Sequence, residues 1–276
     1  MALRDIGVNR LSLGAQSLDD HVLRRLGRVH CATDVVQCIR WIEQSGFSNW
    51  SVDLMHGVVG QTLEGVLLDV RRVYDLGTPH LSTYELSVDS QPSFGQVVNQ
   101  SHLMLPDEGL VTDMYQGIVA FNEGHGRPQY ELTCAAVPGF ESQHNLGYWQ
   151  GRPYLGLGAG AHGFCPNETG AIRFENTSNV SEYLNTMGGT LAWADLPSED
   201  VRVSEAECLE ELIMTGLRLT AGIQPNQEME ARYGVRVQRL VSEGLMDTDS
   251  GRWRTSAKGR LMLNFVLEQI LVCGRN

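Results

Sequence analysis

The sequence predicts an α/β fold built on a parallel sheet, followed by a small helical domain of winged-helix type. Short apolar runs alternate with longer segments in which apolar residues recur every three or four positions. Strands that alternate with helices of this length form parallel sheets. Beyond residues 191–203, where a Pro-Ser-Glu-Asp run breaks the periodicity, the pattern changes to helices, a hairpin and a closing helix. We therefore expect one domain over residues 1–190 and a second over 191–276.

Three strand–helix pairs are predicted in the first part of the chain. The expected strands cover residues 8–13, 50–55 and 80–86, and the expected helices cover 19–26, 33–45 and 62–76. Ser17 should open the first helix, and Gly46 should end the second. Residues 88–104 predict an irregular segment, after which a helix should start at Pro106 and run to Glu123.

Shorter elements are predicted to follow. We expect strands over residues 129–134 and 171–176 and a helix that Asn179 caps. In the second domain, Ser204 and Glu207 form a capping box for a helix to about residue 220. Helices over 227–233 and 235–242, a hairpin over 245–255 and a last helix over 258–271 complete the prediction.

Composition excludes several classes of protein. A formal net charge of -12 argues against a nucleic-acid binder, which needs a basic footprint. The sequence contains no run of about 18 apolar residues, so no integral membrane segment is predicted. The first residues also lack the apolar core of a signal peptide, and we therefore expect a cytoplasmic protein. The six cysteines are widely spread and include no Cys-x-x-Cys pair, so neither a disulfide scaffold nor a local zinc or iron–sulfur motif is predicted.

The second domain nevertheless contains a set of basic residues that raises a nucleic-acid hypothesis. Acidic residues are interleaved with them, and this mixture favours a lid or packing role. The basic residues are Arg232, Arg236, Arg239, Arg252, Arg254, Lys258 and Arg260.

Polar residues lie at the carboxyl ends of the three predicted strands. They are Gln16 and Ser17, then Asp53, His56 and Gly57, then Glu85 and Ser87. Ligands of open parallel sheets bind at the carboxyl ends of the strands. This edge is therefore the predicted functional edge.

The stretch from residue 144 to 163, HNLGYWQGRPYLGLGAGAHG, is the densest in potential ligands, aromatics and glycines. We expect a loop whose glycines lie against a ligand or a neighbouring strand. Gly158, Gly160 and Gly163 match the spacing of a dinucleotide fingerprint. That motif must open a helix, and the turn-forming residues that follow exclude it here.

Several motifs together resemble a known family. They are Asn9-Arg10-Leu-Ser-Leu-Gly-Ala-Gln16-Ser17, Leu26-Gly27-Arg28-x-His30, Asp53-Leu-Met-His-Gly57-x-x-Gly60-Gln61-Thr62 and His144-Asn145-x-x-Tyr148-Trp149. They resemble the radical SAM enzymes of the oxygen-independent coproporphyrinogen III oxidase family, from about residue 7 to the carboxyl terminus. The last motif is more similar to the haem chaperone (HemW) branch than to the decarboxylating oxidase.

The resemblance implies a partial (β/α) barrel that binds S-adenosylmethionine (SAM) and a [4Fe-4S] cluster above the strand ends. By motif, Gln16, Arg28 and Asp53 match SAM-contacting positions, and Ser87 and His162 fall near the same pocket. His144 matches the residue proposed to meet haem iron, where an imidazole is a natural axial ligand. With Asn145, the rings of Tyr148 and Trp149 would complete the haem site. Haem or a porphyrin, and a haem-acceptor protein, are the implied partners.

One departure from the family pattern bears on activity. The family's Cys-x-x-x-Cys-x-x-Cys loop follows the first barrel strand, whereas this chain begins near the fourth, so about 90 residues, at about 30 per βα unit, are expected to be missing. His56-Gly57-Val58-Val59 also replaces the usual Tyr-Gly-Leu-Pro. We therefore expect a truncated HemW-like protein of porphyrin and haem metabolism that lacks radical chemistry, and whether it is an enzyme is left open. The alternatives are a haem carrier module without radical chemistry and a non-functional fragment.

Overall fold

The structure is a computed structural model in which residues 2–87, 105–187 and 198–272 are described. It divides into two compact units, Met1–Glu141 and Ser142–Asn276. The irregular segment predicted over residues 88–104, and part of the boundary predicted at 191–203, lie outside the described residues. The division at residue 190 stays a prediction. Among the described helices, none is both long enough and apolar enough to cross a membrane.

The first unit is an open five-stranded sheet with helices. Its strands are β1 (Leu11–Gln16), β2 (Trp50–His56), β3 (His80–Glu85), β4 (Gln129–Glu131) and β5 (Cys134–Ala136). Its helices are α1 (Ala2–Asp5), α2 (Asp20–Arg25), α3 (Ala32–Gln44), α4 (Leu63–Asp75) and α5 (Glu108–Gly124). The strand order is β1-β2-β3-β5-β4.

The predicted parallel sheet forms over its first three strands. β1, β2 and β3 pair in parallel, in a register that places Gly14 beside Asp53 and Asp53 beside Ser82. The single strand predicted over residues 129–134 is wrong, because the chain turns at Leu132 and Thr133. β4 and β5 form an antiparallel hairpin there, and β5 also pairs antiparallel with β3.

The two faces of this sheet differ in character. One face packs against the helices through a core that includes Val52, Leu54, Leu81, Val70 and Ile118. Strand residues alternate between faces, so the opposite face presents the polar side chains of the same strands. This polar face is thus the one suited to a polar ligand.

Ser17 does not open α2 as predicted. The N-cap is Asp19, whose carboxylate accepts a hydrogen bond from the His21 backbone N–H at 2.7 Å. The Ser17 hydroxyl instead donates to the carboxylate of Asp69 on α4, which also accepts from the Leu18 N–H at 3.1 Å. This buried contact fixes the chain where it leaves β1, and burial raises the pKa of the Asp69 carboxyl group.

The second unit begins with α6 (Gln143–Trp149), which lies where a loop was expected. It continues with β6 (His162–Asn167), β7 (Gly170–Asn176), α7 (Val180–Met187) and β8 (Ser198–Ser204). The three strands form an antiparallel sheet in the order β6-β7-β8. The turn expected directly after Gly163 is wrong, because His162–Asn167 form the strand β6. No helix opens there, so the dinucleotide motif has no structural basis.

The remaining elements close the second unit. They are α8 (Glu205–Gly216), α9 (Gln227–Ser242), β9 (Met246–Asp247), a 3₁₀ turn (Asp249–Gly251), β10 (Arg254–Thr255), α10 (Ala257–Leu261) and α11 (Leu263–Leu271). The capping box of Ser204 and Glu207 is confirmed. Two helices predicted either side of Gly234 form the single helix α9, and the last predicted helix is interrupted at Met262.

The basic side chains of this region are engaged within the unit. Arg232, Arg239 and Arg254 form ion pairs with nearby carboxylates. Arg236 donates to the carbonyl of Ile270, and Arg252 donates to those of Ala221 and Gly222. These contacts fit the packing role that the interleaved charges favour.

Candidate functional site

Gln16 is the residue whose backbone most clearly marks the edge of the sheet. It ends β1 at a φ of 68°, in the left-handed region that residues other than glycine rarely adopt. The register between β1 and β2 shifts between Gly14 and Gln16, so a bulge directs the chain out of the sheet there. Backbone strain of this kind concentrates at functional sites, where the surrounding structure maintains it.

Asp53 lies in the middle of β2, further from the strand end than its place in the motif suggested. Its two carboxylate oxygens accept hydrogen bonds from the Ser12 hydroxyl at 3.1 and 2.9 Å. The Ser51 hydroxyl donates to Ser12 at 2.8 Å. The Ser12 hydroxyl therefore orients the Asp53 carboxylate on the polar face of the sheet, and Asp53 is half-buried, so it keeps contact with solvent.

Arg28 lies in the loop between α2 and α3 and is exposed. An imidazole nitrogen of His30, two residues on, lies 3.1 Å from the carbonyl oxygen of Ala15 and so attaches this loop to the end of β1. The Arg28 guanidinium forms no hydrogen bond or ion pair with another described residue. The loop that carries Arg28 is therefore attached to the end of β1 that Gln16 forms, and Arg28 is available to a ligand carboxylate.

Two other predicted residues are placed differently. Ser87 is exposed two residues beyond the end of β3, at the predicted functional edge. His162 belongs to the second unit, where its imidazole lies 3.8 Å from the Glu175 carboxylate. Gln16, Arg28, Asp53 and Ser87 thus share the first unit.

The turn after β2 is held by hydrogen bonds of the Gln61 and Arg25 side chains. The Gln61 side chain accepts from the Val58 N–H at 2.9 Å and donates to the Met55 carbonyl at 3.0 Å. Arg25 on α2 donates to the Val59 carbonyl. His56 is buried at the end of β2, and burial lowers its pKa to about 4. Sequence reasoning placed His56 at a ligand edge, whereas the structure makes it a neutral core residue.

The described cysteines do not fit an iron–sulfur cluster. No three His, Cys, Asp or Glu side chains converge on a metal site in the described parts of the chain. Burial raises the pKa of the Cys134 thiol to about 12, which opposes the thiolate form that iron requires. We derive no radical step for this chain.

His144 and Tyr148 occupy one face of α6. They are four residues apart, so their side chains are neighbours on the helix, and both are exposed. Ser142 caps the helix by accepting from the Asn145 N–H at 3.4 Å. The His144 imidazole forms no hydrogen bond with another described residue. An imidazole nitrogen is therefore available to a ligand in solvent.

Asn145 and Trp149 occupy the next face of the same helix. The Trp149 ring packs under the guanidinium of Arg218, which lies 4.6 Å from the ring centroid. The indole N–H of Trp149 is buried and has no partner among the described residues. The four residues of the motif therefore divide into an exposed pair, His144 and Tyr148, and a more sheltered pair that fixes α6 in the unit.

Aromatic contacts lead from α6 to the three-stranded sheet. The rings of Tyr148 and Tyr154 meet edge to face, with centroids 4.7 Å apart, and Tyr154 stacks on Phe164 of β6 at 6.3 Å. The Arg173 guanidinium of β7 lies 5.4 Å from the Phe164 ring centroid. Sequence reasoning singled out neither Tyr154 nor Arg173, because nothing local marks contacts between distant segments.

The glycines of the loop before β6 are explained by close approach and by turns. A Cβ on Gly156 would overlap the His162 carbonyl, and one on Gly163 would overlap the Phe174 ring. Gly158 and Gly160 have φ of 113° and 69°. The neighbouring strand, which was one of the two expected causes, therefore accounts for Gly156 and Gly163.

An open cavity of about 540 Å³ lies beside these residues. Sites for small molecules and cofactors span roughly 300–1,000 Å³, so this cavity has the size of a ligand site. The side chains that line it are Tyr148, Tyr154, Leu155, Leu157, His162 and Arg173.

Comparison with known proteins identifies related sequences and a related fold. The family model of the Radical SAM superfamily matches residues 1–73, and that of the HemN C-terminal domain matches residues 203–262. The heme chaperone HemW of Bacillus subtilis (strain 168) is 36% identical over 89% of this chain and 62% of its own length. The heme chaperone HemW of Lactococcus lactis subsp. lactis (strain IL1403) is 31% identical over 98% of this chain and 71% of its own length.

A solved structure agrees with the predicted fold class. Coproporphyrinogen III oxidase (HemN) from Escherichia coli, described as a radical SAM enzyme, superposes with a TM-score of 0.73 at 19% identity. The match covers 97% of this chain and 65% of that one. The chain thus spans about two thirds of the length of the proteins it matches, and the predicted partial radical SAM fold is confirmed.

Proposed function

The chain belongs to the radical SAM family that includes the heme chaperone HemW, and from that premise we propose that it binds haem through the His144 face of α6 as a haem-handling protein of porphyrin metabolism. The heme chaperones to which the chain is similar supply the ligand class. The exposed imidazole of His144 supplies the observation on which the proposal rests.

The chemistry of that face suits haem. Neutral imidazole is a common axial ligand of haem iron. The edge-to-face contact of His144 with Tyr148 holds an aromatic surface next to the ligating ring. Trp149 contributes indirectly in this proposal, because its packing under Arg218 fixes the helix, and Asn145 shares that face.

We propose a second ligand, SAM, for the edge of the first unit. Asp53 and Gln16 offer a carboxylate and an amide for hydroxyl and amino groups, and Arg28 offers a guanidinium for a carboxylate. Ser87 would add a hydroxyl at the same edge, and His162 remains a proposed contact from sequence.

The described residues favour haem binding over radical chemistry as the function of this chain. Cluster iron needs three or more thiolates presented together, and no such group is found in the described residues. Haem binding needs one axial ligand and an apolar surface, and the second unit offers both. We propose a haem-acceptor protein as the partner, and the cytoplasmic location stays a prediction.

An anaerobic optical titration with haem tests the proposal. We expect the parent chain to shift the Soret band and His144→Ala to abolish the shift. His21→Ala is the matched control, because His21 is also an exposed helical histidine and lies in the first unit. Equal haem binding by the parent and His144→Ala would refute the assignment of the axial ligand.

A further inference from the structure

We infer that the cavity beside α6 receives the edge of a tetrapyrrole and that Arg173 anchors one of its propionate carboxylates. The inference rests on the proposed haem function and specifies it. The cavity would hold the edge of the macrocycle, and the bond to Arg173 would fix which edge enters. Tyr148 connects the two parts, since it contacts the His144 ring and also lines the cavity.

Two of the apolar side chains that line the cavity are unusually exposed. Leu155 is 57% exposed and Leu157 is 80% exposed, although a leucine gains most when it is covered. Both line the cavity together with the rings of Tyr148 and Tyr154. A flat apolar ligand would cover these side chains, and it would gain the aromatic contacts that porphyrins make well.

Hydrogen bonds with Asn176 and Tyr183 hold the backbone of the loop that carries the two leucines. The Asn176 amide donates to the carbonyls of Gly156 and Gly158 at 3.1 and 2.9 Å. The Gly158 N–H donates to the Tyr183 hydroxyl at 2.9 Å. Asn176 is buried, so the loop backbone is fixed while its leucines stay exposed. Such a wall is formed before the ligand arrives, which lowers the entropy cost of binding.

Arg173 is the one lysine or arginine among the described residues that line the cavity. Its guanidinium donates to the Glu211 carboxylate on α8 at 2.6 Å, and its side chain remains 42% exposed. A guanidinium has five N–H donors, and four of them belong to its two terminal nitrogens. The Nε–H of Arg173 is buried without a partner among the described residues, and one terminal nitrogen donates to Glu211, so the other terminal N–H groups are the ones a ligand can reach. Arg173 can therefore hold a second carboxylate, or exchange Glu211 for one.

Charge makes this cation important for an anionic ligand. The chain has a formal net charge of -12, so a propionate is repelled by the molecule as a whole. At the cavity, the Phe164 ring and the Glu211 carboxylate hold the Arg173 guanidinium in a fixed place. Haem carboxylates should therefore bind at Arg173, the one lysine or arginine among the described residues that line the cavity.

Titration with haem and with haem dimethyl ester, whose carboxylates are blocked, tests the inference. We expect Arg173→Gln to weaken haem binding by roughly 10- to 150-fold, the effect of one charge-assisted hydrogen bond, and to leave dimethyl ester binding unchanged. Glu211→Gln should tighten haem binding, since it removes the competing carboxylate. Arg202→Gln is the matched control, because Arg202 pairs with Ile172 and so lies on the opposite face of the same sheet.

The outcomes separate this inference from the proposed function. If His144 is required for the Soret shift but Arg173→Gln binds haem as tightly as the parent, the propionate anchor is wrong and the haem function stands. Equal losses for haem and for the dimethyl ester in Arg173→Gln would also overturn it, because they would show a structural role. If Arg173→Gln fails to fold, Glu211→Gln decides, and unchanged or weaker haem binding there refutes the anchor.

Discussion

The imidazole ring of His144 meets the phenol ring of Tyr148 edge to face, with centroids 4.7 Å apart and an angle of 83° between the ring planes. Both side chains come from one short helix, and the four-residue spacing alone brings them together. A ligating nitrogen and an aromatic surface are therefore supplied side by side.

Tyr148→Ala should weaken haem binding, whereas Tyr148→Phe should keep it. The ring contacts His144 and Tyr154, and such aromatic pairs contribute about 0.5–1.5 kcal/mol each. The hydroxyl is not needed for either contact. An optical titration of both variants measures the difference, and an equal loss in Tyr148→Phe would show that the hydroxyl binds the ligand.

Asp53→Ala and Arg28→Ala should each weaken SAM binding by about 1.5–3 kcal/mol, because each removes a charge-assisted hydrogen bond to the ligand. Isothermal titration calorimetry with SAM measures the change. Asp75→Ala and Arg40→Ala are the controls, since both residues are exposed on helices of the same unit. Unchanged affinity in both site variants would remove Asp53 and Arg28 from the site.

Stability should fall on acidification between about pH 6.5 and pH 4, in part because of His56. Burial lowers its pKa from 6.5 to about 4, so the unfolded chain binds its proton more readily than the folded chain does. The stabilising contribution is fully present above pH 6.5 and is lost as the pH falls toward 4. We expect a loss on the order of 1–3 kcal/mol.

Urea unfolding at several pH values compares the parent with His56→Gln. The variant should lose less stability over this interval, while His21→Gln, which changes an exposed histidine, should behave as the parent does. The same pH dependence in the parent and in His56→Gln would contradict the assignment.

Gly163→Ala should destabilise the second unit by roughly 1–3 kcal/mol, the usual cost of overpacking. The added Cβ would overlap the Phe174 ring. The same substitution in a Phe174→Leu background should cost less, since the two sites are in contact. Gly124→Ala is the control, because a Cβ there meets nothing within 4 Å. Equal urea midpoints for Gly163→Ala and the parent would disprove the close approach.

Much of the fold could be predicted because its signals are local. Apolar periodicity and cap residues such as Thr62 and Ser204 place most helices within a few residues of their true bounds. The β4–β5 hairpin could not be predicted, because β5 is held by antiparallel pairing with β3, a strand far from it in the sequence. Helix α6 was not predicted, because Gly147 in its sequence disfavours a helix, although Ser142 caps it.

The candidate sites were only partly predictable. His144 and Tyr148 share a face because of their spacing, which the sequence contains. The placement of Tyr154 and Arg173 beside them depends on pairing between β6 and β7 and on the Tyr154–Phe164 bridge. Such pairing joins distant segments, and no local pattern marks it. For the same reason, the burial of His56 appears only in the folded chain.

The spectrum of the ferric haem complex of His144→Cys tests the central claim most directly, because a thiolate bound to haem iron gives a different absorption and paramagnetic resonance spectrum from imidazole. If His144 is the axial ligand, the parent complex should show imidazole ligation and the variant should show thiolate ligation at the same stoichiometry. His21→Cys should leave the parent spectrum unchanged. An imidazole-type spectrum that persists in His144→Cys would contradict the claim that this residue holds the iron.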